Sequence, residues 1–373
     1  MGGRHALLVL GLAISGAAIA QERSVYFTGD FETGRIQRVG SQHDGFYIGT
    51  LPDPQIGDEV LVSGKSDFGP SSNADTRVVG SEIVGSETVR PRDGQFFLRS
   101  QLYRNKNYLV LNGYAKNRPR SKISMGNSSF RINFDEEGYA GFSIYVPKNF
   151  EHELGVRDHR GESALFIINA DSSRTLVHLG VWVEAPATEA HWFLKTWTSA
   201  TSTNESGAKE ESIDLGPVSA DIGKWTDFVI RYRFNPFSVS TNPAAKGIAN
   251  AMNALYQGNK GILQVWKAEG SVDDNGDRKM VQKIDKVNTP VGLVPNATEK
   301  VQHTWRIYKY GWLVNPTTLT HPVWFGFDEI RQGLVERDGT TFADVAPAGT
   351  PCTSGCEGGQ AEKPRAPTSL VVD

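Results

Sequence analysis

Stretches of aromatic and β-branched residues, separated by turn residues, dominate this chain of 373 residues. Such stretches are typical of β-strands. They are Phe142–Val146, Ala164–Ile168, Leu176–Val183, Trp225–Phe234, Gly261–Lys267, Trp305–Val314 and Val323–Ile330. The pattern predicts an all-β fold, a β-jelly-roll or concanavalin-like sandwich of two antiparallel sheets.

One helix is predicted within this β framework. Pro243–Gln257 begins with proline, repeats apolar residues at helical spacing and is followed by Gly258. Because it lies between two predicted strands, we expect one short helical insertion at the surface. Residues 199–220 are rich in polar residues and are expected to form a loop.

The two ends of the chain differ in character from its middle. Met1–Ala20 has Arg4, an apolar stretch and a terminal Ala-Ile-Ala, the pattern of a cleaved signal peptide. We therefore expect a mature chain from Gln21 that is secreted or periplasmic. A single domain is expected over 21–344, and 345–373, rich in Pro, Gly, Ala and Thr, is expected to be a linker or tail.

Charge and cysteine content narrow the classes of function. A net charge of −3 disfavours nucleic-acid binding, and the chain has no second long apolar run for a membrane span. Cys352 and Cys356 are the only cysteines. In an oxidising compartment they predict a small disulfide loop, and a metal site is disfavoured because no His or Cys cluster accompanies them.

A glycoside hydrolase needs two carboxylates that flank the bond it cleaves. Asp135-Glu136-Glu137 and Asp328-Glu329 do not alternate along a strand face, so we expect solvated charges. Asp273, Asn275 and Asp277 have the oxygen spacing of a calcium loop but lack its distal Glu. An ordinary turn is favoured there, and a structural calcium is the alternative.

A series of short segments, in order along residues 30–332, resembles the heparin-lyase-like polysaccharide lyase family, which includes glucuronan, heparin and alginate lyases. The segments are Gly29–Glu32, Gly94–Arg99, Asn117–Ile123, Gly138–Phe150, Gly223–Phe228, Gly261–Lys267, Tyr308–Gly311 and Phe327–Arg331. The resemblance implies a β-jelly roll that cleaves a uronic-acid polysaccharide by β-elimination, with no organic cofactor.

The family's motifs match this chain only in part. Its Arg-Ser-Glu segment corresponds to Arg120-Ser121-Lys122, and its Lys-x-Gly to Lys309-Tyr310-Gly311. The family's catalytic Tyr falls on Leu313. Its Gln-x-His falls near Asn169-Ala170-Asp171. These departures leave open a binding module that keeps the scaffold without the reaction, and, less favoured, a glycoside hydrolase.

Candidate residues follow from this chemistry. A carboxylate must be neutralised, a proton must be removed, and the leaving oxygen must be protonated. The predicted catalytic residues are His178, Tyr310 and Asn169. The predicted substrate-binding residues are Arg120, Lys309, Lys122, Arg99, His191 and Trp192. For His178 the alternative is a structural role in the core; the remaining histidines, including His303, are expected in turns or at the surface.

The expected partner is an acidic polysaccharide: glucuronan, alginate, ulvan or a glycosaminoglycan. We expect a monomer.

Overall fold

A computed structural model describes the greater part of the domain. The described residues are 27–29, 46–47, 74–84, 87–102, 120–125, 132–134, 136–148, 150, 163–170, 174–182, 189–199, 205–236, 261–270, 278–293, 300–309 and 323–350. The predicted signal peptide, the predicted helix at 243–257, the 273–277 loop and both cysteines lie outside them.

The described residues are mostly β-strand. The strands are β1 (Phe27–Gly29), β2 (Phe46–Tyr47), β3 (Ala74–Val79), β4 (Glu82–Val84), β5 (Glu87–Val89), β6 (Phe97–Leu102), β7 (Arg120–Met125), β8 (Ile132–Asn133), β9 (Gly138–Val146), β10 (Ser163–Ala170), β11 (Thr175–Trp182), β12 (His191–Thr198), β13 (Lys209–Pro217), β14 (Lys224–Arg233), β15 (Ile262–Glu269), β16 (Lys279–Val287), β17 (Lys300–Lys309) and β18 (Val323–Leu334). The helices are short: the 3-10 turns Glu205–Gly207 and Ser219–Asp221, and the α-helices Val335–Asp338 and Phe342–Val345.

Two eight-stranded antiparallel sheets form the sandwich. Sheet A has the order β16-β15-β14-β9-β18-β6-β3, with β1 on β18. Sheet B has the order β13-β12-β11-β10-β17-β7-β2, with β8 on β17. Strands far apart in sequence are neighbours in both sheets, as in a jelly roll. The predicted fold class is therefore confirmed.

An aromatic core joins the two sheets. Phe142 of sheet A packs against Phe166 of sheet B at 4.5 Å between ring centroids and against Trp305 at 6.3 Å. Both faces of β9 are covered, so all nine of its residues are buried. Burial of each large ring contributes about 2–3 kcal/mol, enough to hold the sheets face to face.

The segment that follows β18 covers the outer face of sheet A. Phe342 and Val345 pack with Tyr139, Trp266 and Met280 in a second apolar cluster. The packing continues beyond Asp344, the predicted domain boundary, because Val345 is fully buried and Thr350 is 7% exposed. The folded unit therefore extends at least to Thr350.

Buried carboxylates correct two expectations. Glu137 binds Arg231 at 2.5 Å and Arg233 at 2.9 Å, and only 5% of it is exposed. Asp328 and Glu329 are 1% and 3% exposed. The prediction that these residues are solvated is wrong. Glu137 and Glu329 are paired with arginines, Glu329 with Arg331 at 2.5 Å, and the carboxylate of Asp328 accepts hydrogen bonds from the backbone N–H groups of Arg92 and Glu329 at 2.8 Å.

Strand β13 corrects another expectation. The polar stretch 199–220 was expected to be a loop, yet Lys209–Pro217 pairs along its length with β12. Because β13 lies at the edge of sheet B, most of its residues are exposed or half-buried, and its apolar face is reduced to Ile213 and Leu215. Among the described residues, no helix is both long and apolar enough to cross a bilayer.

His303 lies between the sheets, contrary to the surface position expected. It is fully buried, and its Nδ1 lies 2.7 Å from Oε1 of Gln332 on β18. Gln332 Nε2 donates to the Tyr232 hydroxyl at 3.1 Å, so the amide oxygen is the atom that accepts from His303. This arrangement requires a proton on the Nδ1 atom of His303.

This buried imidazole makes the fold sensitive to acid. Burial lowers the pKa of His303 from 6.5 to about 4, against a smaller raising effect of the Gln332 hydrogen bond. As the pH falls below 6.5, His303 binds a proton in the unfolded chain but not yet in the folded one. The free energy of unfolding therefore decreases as the pH drops from 6.5 towards 4. We expect a loss of about 3 kcal/mol from this residue.

Urea unfolding at pH 7 and pH 4 measures this effect. His303→Leu should lose about 3 kcal/mol less than the wild-type chain over that interval, because leucine does not titrate. Identical losses in the two proteins would contradict the assignment.

Candidate active site

The face of sheet B turned away from sheet A, here called the outward face, carries a cross-strand row of residues that includes His178 and Lys195. Val177 and Leu179 belong to the core between the sheets, so His178 projects outward. His178 pairs with Ile167 on β10 and with Lys195 on β12, and Ile167 pairs with Thr304 on β17. Cross-strand partners share a face, so these residues cross the sheet as one row.

Arg306 belongs to the same face. It alternates along β17 with Trp305 and Ile307, which are both core residues. Its positive charge and that of Lys195 both act on His178. Two cations therefore converge on one imidazole from opposite sides, since β17 and β12 lie on either side of β10 and β11.

His178 is neutral in this environment. Burial is the largest cause that lowers its pKa well below 6.5, followed by the charges of Arg306 and Lys195. His178 is 3% exposed, whereas Lys195 and Arg306 are half-buried. A neutral imidazole at pH 7 is in the state that a proton acceptor requires.

Gly180 leaves space for this imidazole. A methyl group at position 180 would lie 2.4 Å from the Ser163 carbonyl oxygen and 3.1 Å from His178 Nε2. Glycine therefore allows β10 and β11 to approach each other beside the ring of His178.

Aromatic rings support the row on one side. The ring centroid of Trp182 lies 5.8 Å from that of His178 and 4.4 Å from that of Phe193, stacked on the latter. Lys195 Nζ lies 4.7 Å from the Trp182 ring centroid. The ring of Trp182 thus contacts both His178 and Lys195 and fixes their relative positions.

The edge of sheet B next to this row is acidic. His191 Nδ1 lies 2.8 Å from Asp214, whose side chain is 51% exposed. Lys195 Nζ lies 3.7 Å from Glu210. The positive charge of the outward face is thus concentrated at its centre, and carboxylates lie at the β13 edge.

Other predicted site residues lie on the same sheet. Asn169 is half-buried and pairs with Gln302 and Thr175. In the backbone register, Lys122 is opposite Arg306, Arg120 opposite Tyr308, and Lys309 opposite Ser163. The side chains of Arg120, Lys122 and Lys309, and the whole of Tyr310, Leu313 and Asp171, lie outside the described residues.

Two predicted substrate-binding residues do not join this group. Trp192 is fully buried between the sheets, where Nε1 donates to Asp221 at 2.8 Å. Arg99 lies on β6 of sheet A and alternates with the core residue Leu98, so it projects to the opposite side of the sandwich. Neither residue can contact a substrate on the outward face of sheet B.

Lys195 and Arg306 were not among the residues selected from the sequence. Their only sequence signal is alternation with core residues, as in Trp305-Arg306-Ile307. In the part of the chain that the structure describes, no three His, Cys, Asp or Glu side chains cluster as metal ligands.

Comparison with solved structures finds jelly-roll lyases at low identity. The endo-β-1,4-glucuronan lyase of Trichoderma reesei is 13% identical, with a TM-score of 0.47 over 81% of this chain and 98% of that one. An alginate lyase of Klebsiella pneumoniae is 11% identical, with a TM-score of 0.36 over 74% and 84%. An alginate lyase of Alteromonas sp. 272 is 10% identical, with a TM-score of 0.34 over 78% and 93%.

Sequence comparison gives two results. No curated protein matches this sequence. The family model described as "Polysaccharide lyase" matches residues 71–331, well over half of the chain, and the match includes both β11 and β17. The chain therefore belongs to the polysaccharide lyase family.

Proposed function

We propose that this polysaccharide lyase is an exported enzyme that cleaves a uronic-acid polysaccharide by β-elimination. Glucuronan, alginate, ulvan and a glycosaminoglycan are the candidate substrates. The observation that carries the proposal is the neutral His178 between Lys195 and Arg306 on the outward face of sheet B. Export is proposed from the signal-peptide pattern of Met1–Ala20 alone.

The reaction needs this combination of groups. A base removes the proton from C5 of the uronate, the electron pair forms the C4=C5 double bond, and the C4–O4 bond breaks. The leaving O4 takes up a proton. The C5 proton is weakly acidic while the neighbouring carboxylate is charged, so a nearby cation lowers the barrier.

We assign the proton-acceptor role to His178. Its neutral form at pH 7 can take the C5 proton, and the resulting imidazolium can return a proton to O4. Tyr310 stays the alternative proton donor. Asn169 and Lys195, on the same sheet, are proposed to contact the polymer, together with Arg120 and Lys122.

Ultraviolet absorbance tests the proposal directly. The purified full chain is mixed in turn with glucuronan, alginate, ulvan and heparin. A rise in the absorbance of the unsaturated uronate with one polymer is expected and would name the substrate. No rise with any of the four would contradict β-elimination on these polymers.

A carbohydrate-binding module is the second candidate. The observation that favours it is the low exposure of His178, at 3%, which limits access to the ring. The family's Tyr is also replaced by Leu313. Retarded migration in a gel that contains one polymer, with no absorbance change, would favour this function over the lyase.

A further inference from the structure

We propose that Arg306 binds and neutralises the carboxylate of the uronate that undergoes elimination. This inference rests on the proposed function, since it assigns the residue that makes the reaction specific for an acidic sugar. Arg306 does not occupy a position of the family motifs that this sequence matches.

The position of Arg306 is set by a β-bulge. Ala164 pairs with Tyr308 and Phe166 with Trp305, so Leu165 alone faces both Arg306 and Ile307. Bulges bend a strand and re-aim its side chains, and they are frequent next to active sites. On its other side Arg306 keeps regular register with Lys122. Strands β10 and β17 are in the middle of the strand order of sheet B, so the bulge lies at the centre of the sheet.

The charge of Arg306 reaches the proposed base. It is one of two positive charges that act on His178, and its half-buried side chain retains some exposure. A carboxylate bound at Arg306 would thus lie within electrostatic range of the imidazole that removes the neighbouring proton.

Arginine fits this role better than the other polar groups of the face. Its planar guanidinium can bind a carboxylate through two parallel hydrogen bonds and stays charged at every working pH. Lys195 is a compact point charge and cannot form this pair of parallel hydrogen bonds. Asn169 carries no charge and contributes less to neutralisation.

Methyl-esterified substrate separates this role from a structural one. A uronate methyl ester has no negative charge, so its elimination does not need Arg306. We expect Arg306→Ala to lower kcat/KM about 100-fold or more on the free-acid polymer and less than about 5-fold on its ester. Arg306→Lys keeps the positive charge but cannot form the two parallel hydrogen bonds, so its kcat/KM on the free acid should fall about 10-fold.

Lys283→Ala is the matched control. It removes a cation of similar exposure that pairs with Glu269 on sheet A, and should leave kcat/KM unchanged on both polymers. Equal losses on acid and ester for Arg306→Ala would show a structural role and overturn the inference. An unchanged kcat/KM on the free acid would overturn it as well.

A binding measurement keeps this test independent of turnover. If the wild-type chain cleaves neither polymer, the proposed lyase activity fails, but calorimetry with a free-acid oligouronate and its methyl ester still applies. Arg306→Ala should then bind the free acid about 10-fold more weakly and the ester equally well. Equal affinity of both proteins for the free acid would refute the role of Arg306.

Discussion

Replacement of Asp221 by alanine should destabilise the protein by about 4 kcal/mol. Asp221 is fully buried and binds Lys267 at 2.9 Å and Arg278 at 2.6 Å. It also accepts the indole hydrogen bond of Trp192. Removal of the carboxylate takes the counter-ion from the nearly buried Arg278 and leaves Lys267 with the more distant Glu269, at 3.6 Å. Breaking a buried ion pair in this way typically costs about 3–5 kcal/mol.

The effect is large because domains of this kind are stable by only about 5–15 kcal/mol. Urea unfolding at pH 7 measures it. Asp214→Ala is the matched control, since it removes the 51% exposed carboxylate that binds His191 and should cost less than about 1 kcal/mol. A loss below 1 kcal/mol for Asp221→Ala would show that Lys267 and Arg278 do not depend on this carboxylate.

Replacement of His178 by asparagine should abolish most of the lyase activity. We expect kcat to fall about 1,000-fold, within the range typical of a lost general base. Asparagine keeps a polar side chain on β11 but cannot accept the C5 proton. The initial rate of ultraviolet absorbance measures the change, and an unchanged Tm would show that the fold is retained.

The pH profile of the wild-type chain gives a second measurement of the same role. The base must be neutral, and the pKa of His178 is lowered well below 6.5 by burial and by the charges of Arg306 and Lys195. Activity should therefore persist through pH 6.5 and decline only at lower pH. A decline centred at or above pH 6.5, or a fully active His178→Asn, would exclude His178 as the base.

Local sequence pattern predicted the buried strands well and the edge strand poorly. Phe142–Val146 and Ala164–Ile168 fall inside β9 and β10, because strands at the middle of a sandwich need apolar, β-branched and aromatic residues. Lys209–Pro217 was missed, because this edge strand packs only Ile213 and Leu215 against the core, too few for a clear alternating pattern.

The candidate site was predicted only in part. His178 was found because a single polar residue interrupts an apolar strand. Lys195 and Arg306 belong to the same group through strand register and the bulge at Leu165, and these depend on strands far apart in sequence. The family motif identified β17. The sequence of one strand, however, does not show which of its residues are brought next to His178 by the neighbouring strands.

The closing segment after β18 constrains how this domain can be cut or joined to others. The carbonyl oxygen of Val345 lies so close to Gly141 that a methyl group at position 141 would be 1.9 Å from it. A methyl group at position 333 would likewise be 2.0 Å from Oγ1 of Thr340. Gly141 of β9 and Gly333 of β18 therefore leave the space into which this segment packs. A protease site, tag or fused module placed before Thr350 would expose the rings of Tyr139 and Trp266, so an engineered junction belongs after that residue.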